Sequence, residues 1–76
     1  MKDLLTYIAK SLVGNPDAVS VTEVTRDDSL VLEIRVAPDD MGKVIGKHGR
    51  IAKEIRSIIK AAALKDNIKV SVDIVD

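Results

Sequence analysis

Cysteine, tryptophan and phenylalanine are absent from this 76-residue chain, and Tyr7 is its one aromatic residue. The lack of cysteine excludes a disulfide framework, a thiolate metal site and a thiol nucleophile. The lack of aromatic residues excludes sites that depend on stacking a ligand against several aromatic side chains. No apolar run approaches the ~20 residues needed to span a bilayer. The chain must therefore be held together by the packing of aliphatic side chains.

The composition is that of one small domain, which we expect to span residues 1–76. Hydrophobic residues make up 46% of the chain and charged residues 32%, enough for both a core and a solvated surface. The N-terminus is predicted to begin a helix rather than a signal peptide, because Asp3, Thr6 and Lys10 interrupt its apolar residues. We expect a cytoplasmic protein with no membrane association.

The formal net charge is +0, but the charges are unevenly distributed along the chain. Between Met41 and Lys60 the only acidic residue is Glu54, whereas the remainder of the chain is acidic. Since affinity for an anion depends on the local field, this segment is a candidate for binding phosphate. The alternative is that its basic side chains are simply the solvated face of a helix. These side chains are Lys43, Lys47, Arg50, Lys53, Arg56 and Lys60.

The hydrophobic pattern predicts an α+β domain with the element order αββααβ. Two strands alternate clearly between apolar and polar residues, which predicts a sheet with helices on one face and solvent on the other. A break in the alternation near Glu23 leaves open a bulge in the first strand. The predicted elements are a helix over 2–13, strands over 19–25 and 30–36, a short helix over 41–45, a helix over 50–64 and a strand over 68–74.

Two helix caps are predicted from local sequence. Gly14 is expected to end the first helix in a left-handed conformation, and Pro16 prevents its continuation. Pro38–Asp40 is expected to end the second strand and to supply an N-cap for the short helix that begins at Met41.

The most distinctive motif is Gly46-Lys47-His48-Gly49, which has aliphatic residues before it and a helical pattern after it. Glycine at both ends permits strained backbone angles and the close approach of another backbone. Lys47 and His48 are expected at the exposed tip of the turn. The next helix begins with N–H groups that have no intrahelical partner and that carry the positive end of the helix dipole. Such a loop suits a phosphate, which favours single-stranded nucleic acid as the ligand.

The helix from Arg50 bears two neighbouring apolar stripes, more than a single packed face requires. A small domain has little interior to cover both, so the second stripe is a candidate homodimer or partner interface. The alternative is a helix deeply buried in its own domain. The first stripe is Ile51, Ile55, Ile58 and Ala62, and the second is Ala52, Ile59 and Ala63.

With this element order and the Gly46–Gly49 loop between the last two helices, the sequence resembles a KH domain. The helix and strand before the βααβ unit resemble the type II arrangement, which implies a mixed three-stranded sheet with three helices packed on one face. Over essentially the whole chain the sequence is similar to the KhpA family of small stand-alone bacterial KH proteins. The similarity is carried by Asn15–Asp17, Arg35–Lys47 and Val72–Asp76.

This resemblance implies binding of single-stranded RNA with low sequence selectivity, since the Gly-x-x-Gly loop of a KH domain clamps four backbone nucleotides. It also implies a homodimer and pairing with a larger KhpB (Jag or EloR) type RNA-binding protein. The biological role implied is RNA-based regulation or chaperoning linked to cell elongation and envelope synthesis, and thus to cell shape and cell wall biogenesis. It implies no cofactor, no metal and no catalytic residue.

The loop and its flanks supply the candidate RNA-binding residues. Lys47 is the first candidate for a phosphate contact, the alternative being an ordinary surface lysine. His48 either hydrogen-bonds to phosphate or a base edge or takes no part. Ile45 and Ile51 belong either to the core or to the aliphatic surface that bases would contact. The full set is Lys43, Ile45, Gly46, Lys47, His48, Gly49, Arg50, Ile51 and Lys53, with Arg56 as a further candidate.

Two other functions are weighed against RNA binding. An enzyme is not expected, because the paired acids at 27–28 and 39–40 fall at a turn and a helix start, where they need no catalytic explanation. A P-loop NTPase is excluded because Met41 stands where the first glycine is required and His48 replaces the hydroxyl residue. A protein-interaction adaptor that uses the same fold stays open, favoured by the net charge of zero and the missing aromatic residues.

Overall fold

The computed structural model describes residues 1–75 and confirms the predicted α+β order. Asp76, the last residue of the predicted domain, lies outside the described residues. Within residues 1–75, no helix is both long enough and apolar enough to cross a membrane. The helices are α1 (Lys2–Leu12), α2 (Met41–Ile45) and α3 (Arg50–Lys65), and the strands are β1 (Ser20–Arg26), β2 (Ser29–Arg35) and β3 (Lys69–Ile74).

The sheet is mixed, with β2 as its central strand. β2 pairs antiparallel with β1 through a turn at Asp27–Asp28, and parallel with β3. The β1–β2 register is unbroken along the whole strand, so no bulge forms near Glu23. A parallel pair needs a long crossover connection, which α2 and α3 provide. The Gly46–Gly49 loop between these helices therefore lies beyond the C-terminal end of β2.

The core lies between the sheet and helices α1 and α3. Strand alternation places Val21 beside Ile34 and Leu32 beside Val72 on the face that the helices cover. Each large side chain that is fully buried there contributes about 1.5–3 kcal/mol to folding. The buried cluster consists of Leu5, Ala9, Val21, Leu32, Ile34, Ile55, Ile59 and Val72.

The buried face of α3 differs from the predicted one. Ala52, Ile59 and Ala63 are at most 4% exposed, so they pack inside the chain and offer no surface to a partner. Ile58, which was expected to face the core, is 48% exposed. Both stripes satisfy helical spacing, and packing against the sheet buries the second stripe together with Ile55 of the first. The predicted position of the partner interface is therefore corrected.

Asp40 is the only charged residue that is buried within residues 1–75, at 4% exposure. It makes no side-chain hydrogen bond to the start of α2, and Gly14 does not adopt a left-handed conformation, so neither predicted cap forms. Instead the Gly14 N–H donates to Asp40 Oδ1 at 3.1 Å, and the Asn15 N–H donates to Oδ2 at 3.0 Å. Lys43 Nζ lies 3.3 Å from Oδ1. These four residues, the Asp40 junction, join the end of α1 to α2.

The junction lowers the pKa of the Asp40 carboxyl below its ordinary value of 3.8. The Gly14 amide is the main cause, and the Asn15 amide and the Lys43 ammonium act in the same direction, while desolvation opposes them. Because the folded pKa is lower than the unfolded one, the charged carboxylate stabilises the fold above about pH 4. This contribution is lost as the pH falls through the folded pKa.

We expect Asp40→Asn to lower the melting temperature at neutral pH, because the Gly14 and Asn15 amides and Lys43 lose their charged acceptor. The difference from the wild type should begin to shrink below about pH 4 and shrink further as the pH falls through the lowered pKa of the folded carboxyl, where the wild-type group itself becomes protonated. Thermal unfolding followed by circular dichroism across this range measures both effects. Asp39→Asn, at the exposed neighbour, is the control; an equal change in that variant would show that Asp40 has no special role.

Candidate nucleic-acid interface

The Gly46–Gly49 loop is a single hydrogen-bonded turn between α2 and α3. The Gly46 N–H donates to the Gly42 carbonyl at 2.8 Å and closes the last turn of α2. The Gly49 N–H then donates to the Gly46 carbonyl at 3.1 Å. The Arg50 N–H, at the start of α3, donates to the Lys47 carbonyl. The loop is thus closed by hydrogen bonds of its own backbone.

The two glycines of the loop are required for different reasons. Gly46 has φ 77° and ψ 173°, and a β-carbon there would lie 2.5 Å from Cγ1 of Ile51. Any other residue would meet both backbone strain and a steric clash. Gly49 has φ 73° and ψ 14°, but a β-carbon there would meet no atom within 4 Å. Gly49 is therefore needed for its left-handed backbone alone.

The tip of the loop is exposed, as predicted. The side chains of Lys47 and His48 are both exposed to solvent. The backbone of His48 has φ 59° and ψ 25°. A left-handed conformation at a non-glycine residue costs roughly 1–2 kcal/mol. His48 and Gly49 are consecutive left-handed residues between α2 and α3. The strain is offset by the packing and hydrogen bonds on either side of the tip.

The start of α3 adds positive potential beside the loop. No side chain caps this end of the helix, and its first turn contains no acidic residue. Arg50 and Lys53 are both exposed there. The dipole of a 16-residue helix adds to the two side-chain charges. Together with Lys47, this end of α3 is suited to binding an anion.

Lys43 is less available than the other predicted cations. Its ammonium lies 3.3 Å from Asp40 Oδ1, although its side chain is 54% exposed. Lys43 therefore serves as the counter-ion of a buried carboxylate. A phosphate at Lys43 would have to share the ammonium with Asp40, whereas neither ion pair found within residues 1–75 involves Lys47, Arg50 or Lys53.

The two isoleucines that flank the loop have different environments. Ile45 is 36% exposed and adjoins Gly46 directly. Ile51 is partly buried, packs against the core cluster and contacts the Gly46 backbone. Ile45 is thus an exposed aliphatic side chain beside the loop, whereas Ile51 anchors the loop.

Arg56 has a structural contact that the sequence did not indicate. Its Nε donates to the Val72 carbonyl of β3 at 3.1 Å. Asp40 was likewise missed, because its partners Gly14 and Asn15 are at least 25 residues away along the chain. No local motif signals either contact. Within residues 1–75 there is also no cluster of three or more His, Cys, Asp or Glu side chains that could hold a metal ion.

Comparison with known proteins agrees with this arrangement. A family model described as the KH domain of KhpA and KhpB matches residues 2–74. The chain belongs to the KhpA/KhpB KH-domain family. Its fold is the type II form of the domain, with α1 and β1 preceding the βααβ unit.

Three relatives match over all or nearly all of their length. RNA-binding protein KhpA of Clostridium acetobutylicum is 64% identical over 75 residues, which is 99% of this chain and 100% of that protein. RNA-binding protein KhpA of Clostridium perfringens is 59% identical over the same shares of the two chains. RNA-binding protein KhpA of Chlamydia trachomatis is 43% identical over 76 residues, 100% of this chain and 97% of that protein.

A solved structure shows the same fold outside the KhpA/KhpB family. The crystal structure of an Aquifex aeolicus Era variant bound to GDP·AlF4− superposes with a TM-score of 0.65 at 23% sequence identity. The match covers 96% of this chain and 28% of the longer Era chain. At this identity the likeness concerns the fold alone.

The two glycines of α2 and the loop provide a test of the loop geometry. We expect Gly46→Ala to destabilise the protein by about 1–3 kcal/mol, because the new methyl group would strain the backbone and collide with Ile51. Gly42→Ala is the matched control, since a β-carbon there meets no atom within 4 Å. This control should be neutral or stabilising by up to about 1 kcal/mol, as Ala favours helix. Urea unfolding of both variants measures the difference, and equal stabilities would contradict the described loop.

Proposed function

We propose that this chain binds single-stranded RNA through the Gly46–Gly49 loop and the first turns of α3, with low sequence selectivity. The observation that carries the proposal is the exposure of Lys47, Arg50 and Lys53 around an uncapped helix N-terminus. Backbone N–H groups and basic side chains are the usual partners of phosphate oxygens, and they position a strand without reading its sequence. The name of the full-length relatives, RNA-binding protein KhpA, supports the same conclusion.

The chemistry available for base contacts supports low selectivity. The only aromatic side chain, Tyr7, is on α1 and outside the loop. Bases at the loop would therefore pack against Ile45 and hydrogen-bond to backbone groups, which distinguish bases poorly. We expect weak binding by one domain that depends strongly on salt, because phosphate contacts supply much of the free energy.

A dimer would strengthen such weak binding by presenting two sites to one RNA. We propose that the chain forms a homodimer, a complex with a larger KhpB-type RNA-binding protein, or both, and that it acts in the cytoplasm. The role proposed for these complexes is RNA-based regulation or chaperoning linked to cell elongation and envelope synthesis. For the interface we propose the flank of the C-terminal half of α3 that contains Ile58, which is 48% exposed, and the partly buried Ala62.

The second candidate function is a protein-interaction adaptor. Leu64, near the C-terminal end of α3, is 79% exposed, and Ile68, just before β3, is 44% exposed. These side chains border an open depression of about 600 Å³ that Asp28, Asn67 and Lys69 also line. An apolar surface of this kind favours a protein partner. RNA would then matter little to function.

Charge reversal at the loop tip tests the RNA-binding proposal. In fluorescence anisotropy with labelled single-stranded RNA, wild-type affinity should fall as salt rises. Lys47→Asp combined with His48→Asp should weaken binding roughly ten-fold or more near 0.1 M salt, because a phosphate contact is lost and repulsion replaces it. The salt dependence of this variant should also be shallower.

The control for the loop variant is Lys65→Asp combined with Asn67→Asp, which makes the same charge change at the other end of α3. Both control positions are exposed. Folding and oligomeric state are checked for each protein. If the loop variant and the control bind like the wild type, the assignment of RNA to the loop is wrong. If none of the proteins binds RNA even at high concentration, the adaptor function is favoured instead.

The proposed interface is tested by oligomeric state. Ile58→Asp should shift the protein from dimer to monomer in light scattering, because a charge would be buried at the interface. Ser57→Asp introduces the same charge at the adjacent exposed residue and should leave the dimer intact. A wild type that stays monomeric at high concentration would refute the homodimer. Equal dissociation by both variants would refute this choice of flank.

A further inference from the structure

Lys53, Arg56 and Lys60 lie on one flank of α3, and all three are exposed. At about 100° per residue, Lys60 returns to within about 20° of Lys53, two turns further along the helix. Arg56 lies between them along the axis and about 60° to one side. We refer to these three residues as the basic flank.

A hydrogen bond from Arg56 places the basic flank beside strand β3. The Arg56 Nε donates to the Val72 carbonyl at 3.1 Å, which holds this side of α3 against β3. β3 is an edge strand, since it pairs only with β2. The basic flank therefore runs along the free edge of the sheet and away from the loop. This contact uses one N–H of Arg56 and leaves the charge of the guanidinium without an acidic partner within residues 1–75.

The acidic residues of α3 and β3 lie away from the basic flank. Glu54, the only acid of α3, lies about 100° around the helix from Lys53. Asp73 of β3 alternates with the helix-facing Val72, so it belongs to the opposite face of the sheet. Neither ion pair found within residues 1–75 involves the basic flank. Its positive charge thus adjoins that of Arg50, whereas Glu54 lies about 40° to the other side of Arg50.

We propose that the basic flank continues the path of single-stranded RNA beyond the loop, and that Lys60 binds a phosphate outside the four nucleotides expected there. This inference rests on the proposed RNA binding at the loop. α3 rises about 1.5 Å per residue, which places Lys60 roughly 15 Å from Arg50 along the helix axis. Recognition at Lys60 is by charge and is independent of base sequence. The bound segment is therefore longer than the loop alone accommodates.

The test compares a tetranucleotide with a dodecanucleotide of the same composition. Lys60→Gln should weaken dodecanucleotide binding about five-fold at 0.1 M salt and make the log–log salt slope shallower by about 0.7, the effect of one lost phosphate contact. Its affinity for the tetranucleotide, followed by amide shifts in NMR at high concentration, should equal that of the wild type. Lys65→Gln is the matched control, because it removes the same charge about 140° around the same helix from Lys60. It should resemble the wild type with both RNAs.

The outcomes separate this inference from the proposed function. If Lys60→Gln and Lys65→Gln affect the dodecanucleotide equally, net charge alone matters and the inference is overturned. An equal loss with the tetranucleotide would place Lys60 within the loop site and also overturn it. The variant with both Lys47→Asp and His48→Asp should lose affinity for both the tetranucleotide and the dodecanucleotide. If that variant binds both RNAs normally, the proposed function itself is refuted.

Discussion

Gly46 and Ile51 lie so close together that a β-carbon at position 46 would fall 2.5 Å from Cγ1 of Ile51. Ile51 in turn packs against the buried cluster between the helices and the sheet. The loop is therefore attached to the core at its first residue, while its tip stays in solvent. A flexible loop would have to lose conformational entropy on binding, whereas this one is already ordered by packing and by its own hydrogen bonds. The close contact at Gly46 thus fixes where the loop that carries Lys47 leaves the core.

Electrostatic organisation explains how a chain without net charge can offer a site for a polyanion. One acid of the α2–α3 region, Asp40, is buried and neutralised by two backbone amides and by Lys43. Lys43 is thereby committed to the fold. Lys47, Arg50 and Lys53 keep their charge available, because neither ion pair within residues 1–75 involves them. Lys43 differs from these three basic residues because it is the one that lies beside the buried carboxylate of Asp40.

The local pattern of apolar, polar and glycine residues was sufficient to predict most of the architecture. The element order and the exposed loop tip were predicted from alternation, helical spacing and glycine placement. The mixed sheet was implied by the resemblance to type II KH domains. The errors concern partners that are distant in sequence. Gly14 and Asp40 were each assigned to a cap of the nearest helix, yet the carboxylate of Asp40 accepts hydrogen bonds from the loop after α1 instead. Local sequence cannot distinguish a cap from a long-range acceptor.

The amino-acid sequence by itself determined the fold class, the position of the loop between α2 and α3 and the concentration of positive charge around it. These properties depend on residue types at short spacing, where backbone geometry dictates the periodicity. Tertiary structure alone decided that the buried face of α3 combines the second stripe with Ile55 of the first, since both stripes fit helical spacing. It also decided that Arg56 contacts the edge of β3 and that Lys43 pairs with Asp40. Such choices arise from packing between elements, because only there do side chains that are distant in sequence compete for the same space and the same partners.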